Sequence, residues 1–200
     1  QAGRSWLAKV PLPAIDRLEM DVLLKEWEMY DEQISLVDQE IAQRVSRPDP
    51  DSVLNPTQIL MTTPGIRHYS GLTLASRTGP IERFPRPRSL ANYFGLTLGC
   101  RNSGNAHDRL GSITKQGSKT ARSILGQLVV HILKCDPKMR NWHRRIKRRR
   151  GSKIARVALK RRLATIFWHM LMYKEPYTIG GPPPRLREKQ SSHNHETAPA

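Results

Sequence analysis

Two hundred residues carry 34 Lys+Arg against 17 Asp+Glu, a formal charge of +17, and 38% apolar residues, which fits a globular chain with polar margins. Such a length holds one domain or two small ones with a real core, and no apolar run approaches the roughly 18 to 20 residues of a membrane span. Two cysteines, Cys100 and Cys135, are too few for a disulfide scaffold or a four-ligand zinc site, so a reducing cytoplasm is the expected setting.

The chain starts at Gln1 without a secretory pattern, so residues 1–15 read as the remnant of an upstream segment and the whole as a fragment or processed product. From Asp16 to Val45 neither Gly nor Pro interrupts. Apolar residues fall at Met20, Leu23, Trp27, Tyr30, Ile34, Val37 and Ile41, a 3-4-3-4 spacing that predicts a long helix over 16–47 with a heptad seam. Asp16 is the expected cap, and Arg47-Pro48-Asp49-Pro50 the stop. The seam either joins two copies as a coiled coil or packs on its own domain.

Beyond a Pro-flanked linker, Thr57 to Met61, Thr62 to Ile66 and Arg67 to Arg77 read as helix, hairpin, helix. The Pro64-Gly65 step would offer backbone N–H groups to a phosphate. A short helix is expected through Ser89 to Phe94, stopped by Gly95. The stretch Leu98 to Arg122 reads as a Gly-rich polar loop holding Ser103-Gly104 and closing at a helix opening near Gly117-Ser118. A serine attacking a phosphodiester must lose its proton and have charge on the nonbridging oxygens neutralised. Arg101, Arg109, Lys115 and Arg122 are the candidates, with His107 as a possible proton acceptor.

Three helices follow. Thr120 to Lys134 turns Ile124, Leu125, Leu128, Ile132 and Leu133 inward. A second, opened by Asp136-Pro137, turns Met139, Trp142 and Ile146 inward. A third runs from a Ser152 cap to Tyr173, with Ile154, Val157, Leu163, Ile166, Phe167 and Met170 inward. From Gly180 on, the Gly-Pro run and polar tail read as disordered.

Charge is concentrated: residues 101–162 hold 19 Lys+Arg and two acids, Asp108 and Asp136, while the rest of the chain balances. A block such as Arg144-Arg145-Ile146-Lys147-Arg148-Arg149-Arg150 repels itself unless a polyanion is present, which points to nucleic acid. Lys119, Arg144, Arg145 and Arg148 join Arg101, Arg109, Lys115, Arg122 and Gly65 as expected contacts. Carboxylates beyond Asp51 are scattered and the histidines lack ligand spacing, so no metal site is expected in this chain.

The ordered series Thr63-Pro64-Gly65-Ile66, Phe84, Leu90 to Leu96, Ser103-Gly104, Gly111-Ser112-Ile113-Thr114-Lys115-Gln116-Gly117-Ser118, Ala121-Arg122 and Tyr173-Lys174-Glu175-Pro176-Tyr177 resembles a known family. It is that of the C-terminal domain of the insertion-sequence one-ten, one-sixteen and nine-oh-two transposases. Gly117-Ser118 departs from that family's usual Gly-Asn. The resemblance implies a mostly α fold: a coiled-coil linker helix over 16–47, a compact helical domain over 57–177 with a helix-hairpin-helix-like element and a basic loop, and a tail over 178–200. It makes Ser103 the recombination nucleophile and basic neighbours the nucleic-acid contacts. It further implies DNA as partner, a structured noncoding RNA, and Mg2+ held by an N-terminal RNase H-like domain whose acids are absent here. The expectation is therefore a DNA-binding transposase domain, forming homo-oligomers through the Met20 to Ile41 seam and working at the nucleoid. The alternatives are a noncatalytic nucleic-acid-binding module, an inactive fragment, or a basic protein associated with ribosomes.

Overall fold

The computed structural model describes residues 2–7, 9–47, 54–100 and 110–181. Along them run α1 (Ala2–Leu7), α2 (Ala14–Ser46), α3 (Pro56–Met61), α4 (His68–Thr78), a 3-10 turn (Ile81–Arg83) and α5 (Pro87–Tyr93). A hairpin of β1 (Leu98–Cys100) and β2 (Leu110–Ile113) precedes α6 (Lys119–Cys135), α7 (Pro137–Arg150) and α8 (Ser152–Tyr173). The fold is mostly α, and none of the described helices is long and apolar enough to cross a membrane.

Helix starts follow local chemistry. Pro56, Pro87 and Pro137 stand at the first position of α3, α5 and α7, where a missing N–H costs no helical bond and the fixed φ suits the turn. Side chains of Asn55, Ser118 and Asp136 accept the backbone N–H of Gln58, Ala121 and Met139, at 2.9, 3.2 and 2.9 Å. Three expected starts are corrected. α5 opens at Pro87 rather than Ser89 because that proline seeds it. α2 opens at Ala14 behind Pro13, so Asp16 lies inside the first turn, where its charge meets the positive end of the helix dipole instead of capping it. Gly151, at φ +82°, takes the position before α8, and Ser152 makes no cap bond.

The core centres on α8, which packs against α7, α5, α6, α3 and the 3-10 turn. A helix enclosed on so many sides must be apolar nearly all round, and Ala155, Leu159, Leu163, Ala164, Ile166, Phe167, Trp168, Met170 and Leu171 are all buried. Trp168 satisfies its indole N–H on the Phe84 carbonyl at 2.7 Å. Ile154 is the exception to the predicted inward set: it lies in the first turn of α8, short of the core, and is 52% exposed.

α2 docks by its C-terminal end. Val45 is buried, and its carbonyl accepts from the side-chain amides of Asn55 (2.7 Å) and Gln58 (3.1 Å), closing a helix end whose carbonyls have no partner within the helix. Ile41 is half-buried beside α4, whereas Leu23, Trp27, Tyr30, Ile34 and Val37 are exposed. The seam is thus split: its last turns pack on this chain's own domain and the rest stays open.

The stretch expected to be loop throughout begins and ends instead as an antiparallel hairpin. Leu98 pairs with Ile113 and Cys100 with Leu110, with an irregularity between that offsets the register. At the other end, Tyr177 O–H and Gly180 N–H both donate to Asp136 Oδ2 at 2.6 Å, and Arg162 donates to the Gly180 carbonyl at 3.3 Å. Gly180, expected to open a disordered tail, is therefore pinned to the junction of α6 and α7. The tail reading for residues 182–200 lies outside the described residues.

Candidate nucleic-acid interface

The hairpin stands on a tight crossing of backbones. Gly95 (φ +70°) and Gly117 (φ +130°) face each other: a Cβ on Gly95 would run into the Gln116 backbone, and one on Gly117 into the Tyr93 carbonyl. Both glycines are required by contact as well as by conformation. Thr114 N–H donates to the Thr97 carbonyl (2.9 Å) and Lys115 N–H to the Gly95 carbonyl (3.2 Å), which stitches the two legs together. Lys115 is held in the left-handed region at φ +56°, an uncommon conformation for a residue with a side chain, and is exposed. Ser103, Arg101 and Arg109, with His107, belong to the segment between the legs and lie outside the described residues.

α6 begins directly behind this foot. Its first turn has no acid and carries exposed Lys119, a charge that the positive end of the helix dipole disfavours unless an anion is near. Arg122 is anchored: its guanidinium donates to the Phe94 (3.1 Å) and Gly117 (2.9 Å) carbonyls, bracing the foot from below. Its charge reaches further. Burial lowers the Lys160 pKa, and Arg122 and Arg156 lower it more. Burial likewise lowers that of His143, with Lys147 and Arg156 adding to the effect. Lys160 of α8 is thus near Arg122 of α6 and Arg156 of its own helix, and the buried His143 lies near both that Arg156 and Lys147 of α7. These groups form a basic band from the hairpin foot to α7.

On α7, Arg144, Arg145, Arg148 and Arg149 line, with Asn141, a shallow groove of about 350 Å³. The spacing i, i+3, i+4, i+7, i+8 puts them on one face. Asp136 is the one acid between residues 110 and 162, and it is already engaged. Burial alone would raise its pKa, but bonds from Tyr177 and from the Met139, Gly180 and Lys138 amides outweigh that and hold it below the ordinary 3.8. Burial and the bond to Asp136 push the Tyr177 hydroxyl well up. The carboxylate that could neutralise the band instead clamps the chain's return strap. Ion pairs form elsewhere, as Arg17–Asp21 and Arg44–Glu40 on α2, each at 2.8 Å.

Two sets of expected contacts are thus brought into local groups, Lys115, Lys119 and Arg122 at the foot and Arg144, Arg145 and Arg148 on α7. Gly65 is exposed in the turn between α3 and α4 at φ +92°, and a Cβ there would lie 2.6 Å from that of His131, so the turn presses on α6. Two N–H groups of that turn are already used, Ile66 on the Thr63 carbonyl and Arg67 on Ser70 Oγ. Sequence reasoning missed Lys160 and Arg156, which extend the foot group toward His143 and Lys147 on α7. The signal was there, since α8 carries cations between its apolar residues, but which helix they face is set by packing. Among the described residues no group of three or more His, Cys, Asp or Glu is arranged to hold a metal ion.

Residues 57–144 match the family model of the IS116/IS110/IS902 family of transposases. The chain is 32% identical over 127 residues to the transposase for insertion sequence element IS1111A of Coxiella burnetii, covering 62% of this chain and 35% of that protein. It is 28% identical over 128 residues to a probable family 20 transposase of Pseudomonas aeruginosa, covering 62% of this chain and 37% of the relative. The resemblance read from the ordered motifs is borne out over that segment, and the chain spans little more than a third of the length of these two relatives.

Proposed function

We propose that this chain is the part of an insertion-sequence transposase that grips DNA phosphates and carries the attacking serine. The observation that supports it most is the basic band, in which cations from α6, α7 and α8 sit close together while the one acid of that region is engaged elsewhere. Such an arrangement costs folding energy in water and is relieved by a polyanion. Arg144, Arg145 and Arg148 hold the duplex backbone. Lys115 and Lys119, with Arg101 and Arg109, neutralise the phosphate at the hairpin, and the Gly65 turn is a further backbone contact.

In the step itself Ser103 Oγ forms a bond to phosphorus and one P–O ester bond breaks. The hydroxyl proton passes to a base, for which His107 is the candidate, and the leaving sugar oxygen takes up a proton. The divalent metal that the resemblance implies for the RNase H-like domain finds no ligand cluster among the described residues. A structured RNA and a second copy meeting the open α2 seam complete the proposed assembly.

Incubating the chain, joined to the RNase H-like domain that the resemblance implies, with donor and target DNA tests the nucleophile. The expected outcome is a protein–DNA adduct that survives denaturation and is lost in Ser103→Ala. An adduct that persists in that variant rejects the assignment, and binding without any adduct makes the chain a noncatalytic nucleic-acid module.

A further inference from the structure

A second set of exposed cations surrounds the 3-10 turn, apart from the phosphate contacts proposed above. Arg83 ends the 3-10 turn, and its guanidinium carbon lies 4.6 Å from the ring centroid of Phe84 and 4.6 Å from that of Tyr93. The rings are 5.3 Å apart and tilted by 57°, with the guanidinium carbon equidistant from both. Phe84 is a buried core residue and fixes the arrangement, while Tyr93 is 42% exposed and Arg83 itself is exposed. The Tyr93 carbonyl is the group that meets Gly117, so this aromatic pair belongs to the same foot that carries Lys115. Arg77, Arg86 and Arg88 are exposed nearby in sequence, with Glu82 the one acid from residue 77 to 88.

We propose that Arg83 and Tyr93 stack an unpaired nucleobase beside the hairpin, with Arg86 and Arg88 holding its flanking phosphates. The inference rests on the nucleic-acid reading above and adds to it the state of the strand. A guanidinium held against aromatic rings is planar, delocalised and weakly hydrated, and stacks readily on a further flat ring. Its natural ligand is a flat, polarisable ring. In a duplex each base face is covered by its neighbours, so such a platform gains nothing from paired DNA, whereas an unstacked base fits it. The placement of Arg83 within 4.6 Å of both ring centroids, beside the backbone crossing of the foot, puts cation and exposed ring together where a base could stack.

The test uses the full 200-residue chain with a short single strand carrying 2-aminopurine and the matching duplex, in DNA and RNA forms. Wild-type protein should quench 2-aminopurine in the single strand. Arg83→Lys and Tyr93→Ala should each remove the quenching and weaken single-strand binding about fivefold or more, leaving duplex affinity within about twofold. Tyr93→Phe should behave as wild type, and all three should melt as wild type does. Whichever of the two forms is quenched more strongly identifies the strand. Equal losses on single strand and duplex, or none on either, overturn the stacking proposal. So does wild-type protein that binds duplex but no single strand, which leaves the phosphate-binding reading intact; binding to neither form rejects both.

Discussion

At the scale of single residues, His143 and Asp136 show how burial decides what a titratable group does. The spacing of Met139, Trp142 and Ile146 predicted the inner face of α7 but passed over His143, which is buried with Met139 while Trp142 and Ile146 are half-buried. A histidine in a run of arginines reads as solvent-facing; only the approach of α8 encloses it. Its Nε2 has no hydrogen-bond partner, and Lys147 from its own helix and Arg156 from α8 face it. With the folded value below the ordinary 6.5, the unfolded chain binds the extra proton first as pH falls. The stability this site contributes is complete above that value and is lost as pH drops through the lowered one. Melting temperatures taken across that window should therefore fall with pH in the wild type and fall less in His143→Leu. Equal slopes in the two would show that His143 is not the group responsible. Asp136 acts in a separate, more acidic window: its contribution is present above 3.8 and lost as pH falls through its own depressed value. The N-cap role of Asp136 was legible from Asp-Pro at a helix start, but its clamp on Tyr177 and Gly180 was not, because 41 and 44 residues separate the partners.

At the scale of elements, periodicity served long helices best. α2 could be read from its seam and its flanking prolines, and the inner stripe of α6 matches its buried residues Ile124, Leu125, Leu128 and Ile132. The hairpin was not legible, since three- and four-residue strands rich in Gly and Ser carry no alternation, and the Gly95–Gly117 crossing at their foot joins residues far apart in sequence. α2 also shows where pattern alone stops. A heptad seam says that an apolar face needs a partner and does not say which. Here Val45 and Ile41 settle on the chain's own domain, and the exposed turns from Leu23 to Val37 keep the question for solution. Sedimentation should find oligomers of the wild-type chain at micromolar concentration and monomers when Leu23, Tyr30 and Ile34 are changed together to Ser. The melting transition of the helical core should stay where it is. A wild-type chain that is monomeric throughout, or a triple variant that still assembles, contradicts a self-association role for the seam.

At the scale of the whole molecule, the excess of positive charge is organised by tertiary structure more than by sequence. A count along the chain locates it between residues 101 and 162 but cannot distinguish a tail from a surface. Folding brings α6, α7 and α8 together so that Arg122, Lys160, Arg156 and Lys147 form one band, while Arg144, Arg145, Arg148 and Arg149 line a groove on another face of α7. Ser103 is different in kind. Its candidacy came from a family's ordered motifs rather than from any local physical signal, since a Ser-Gly step is usually just a turn. Phosphate binding by the basic surface, the band and the α7 groove together, is the first requirement of the proposed function, and the salt dependence of DNA affinity measures it directly. The slope of log affinity against log salt concentration should be steep for the wild type and shallower by about one unit per arginine in Arg144→Ala/Arg145→Ala/Arg148→Ala. A flat response in the wild type, or a slope unchanged in the triple variant, would contradict it.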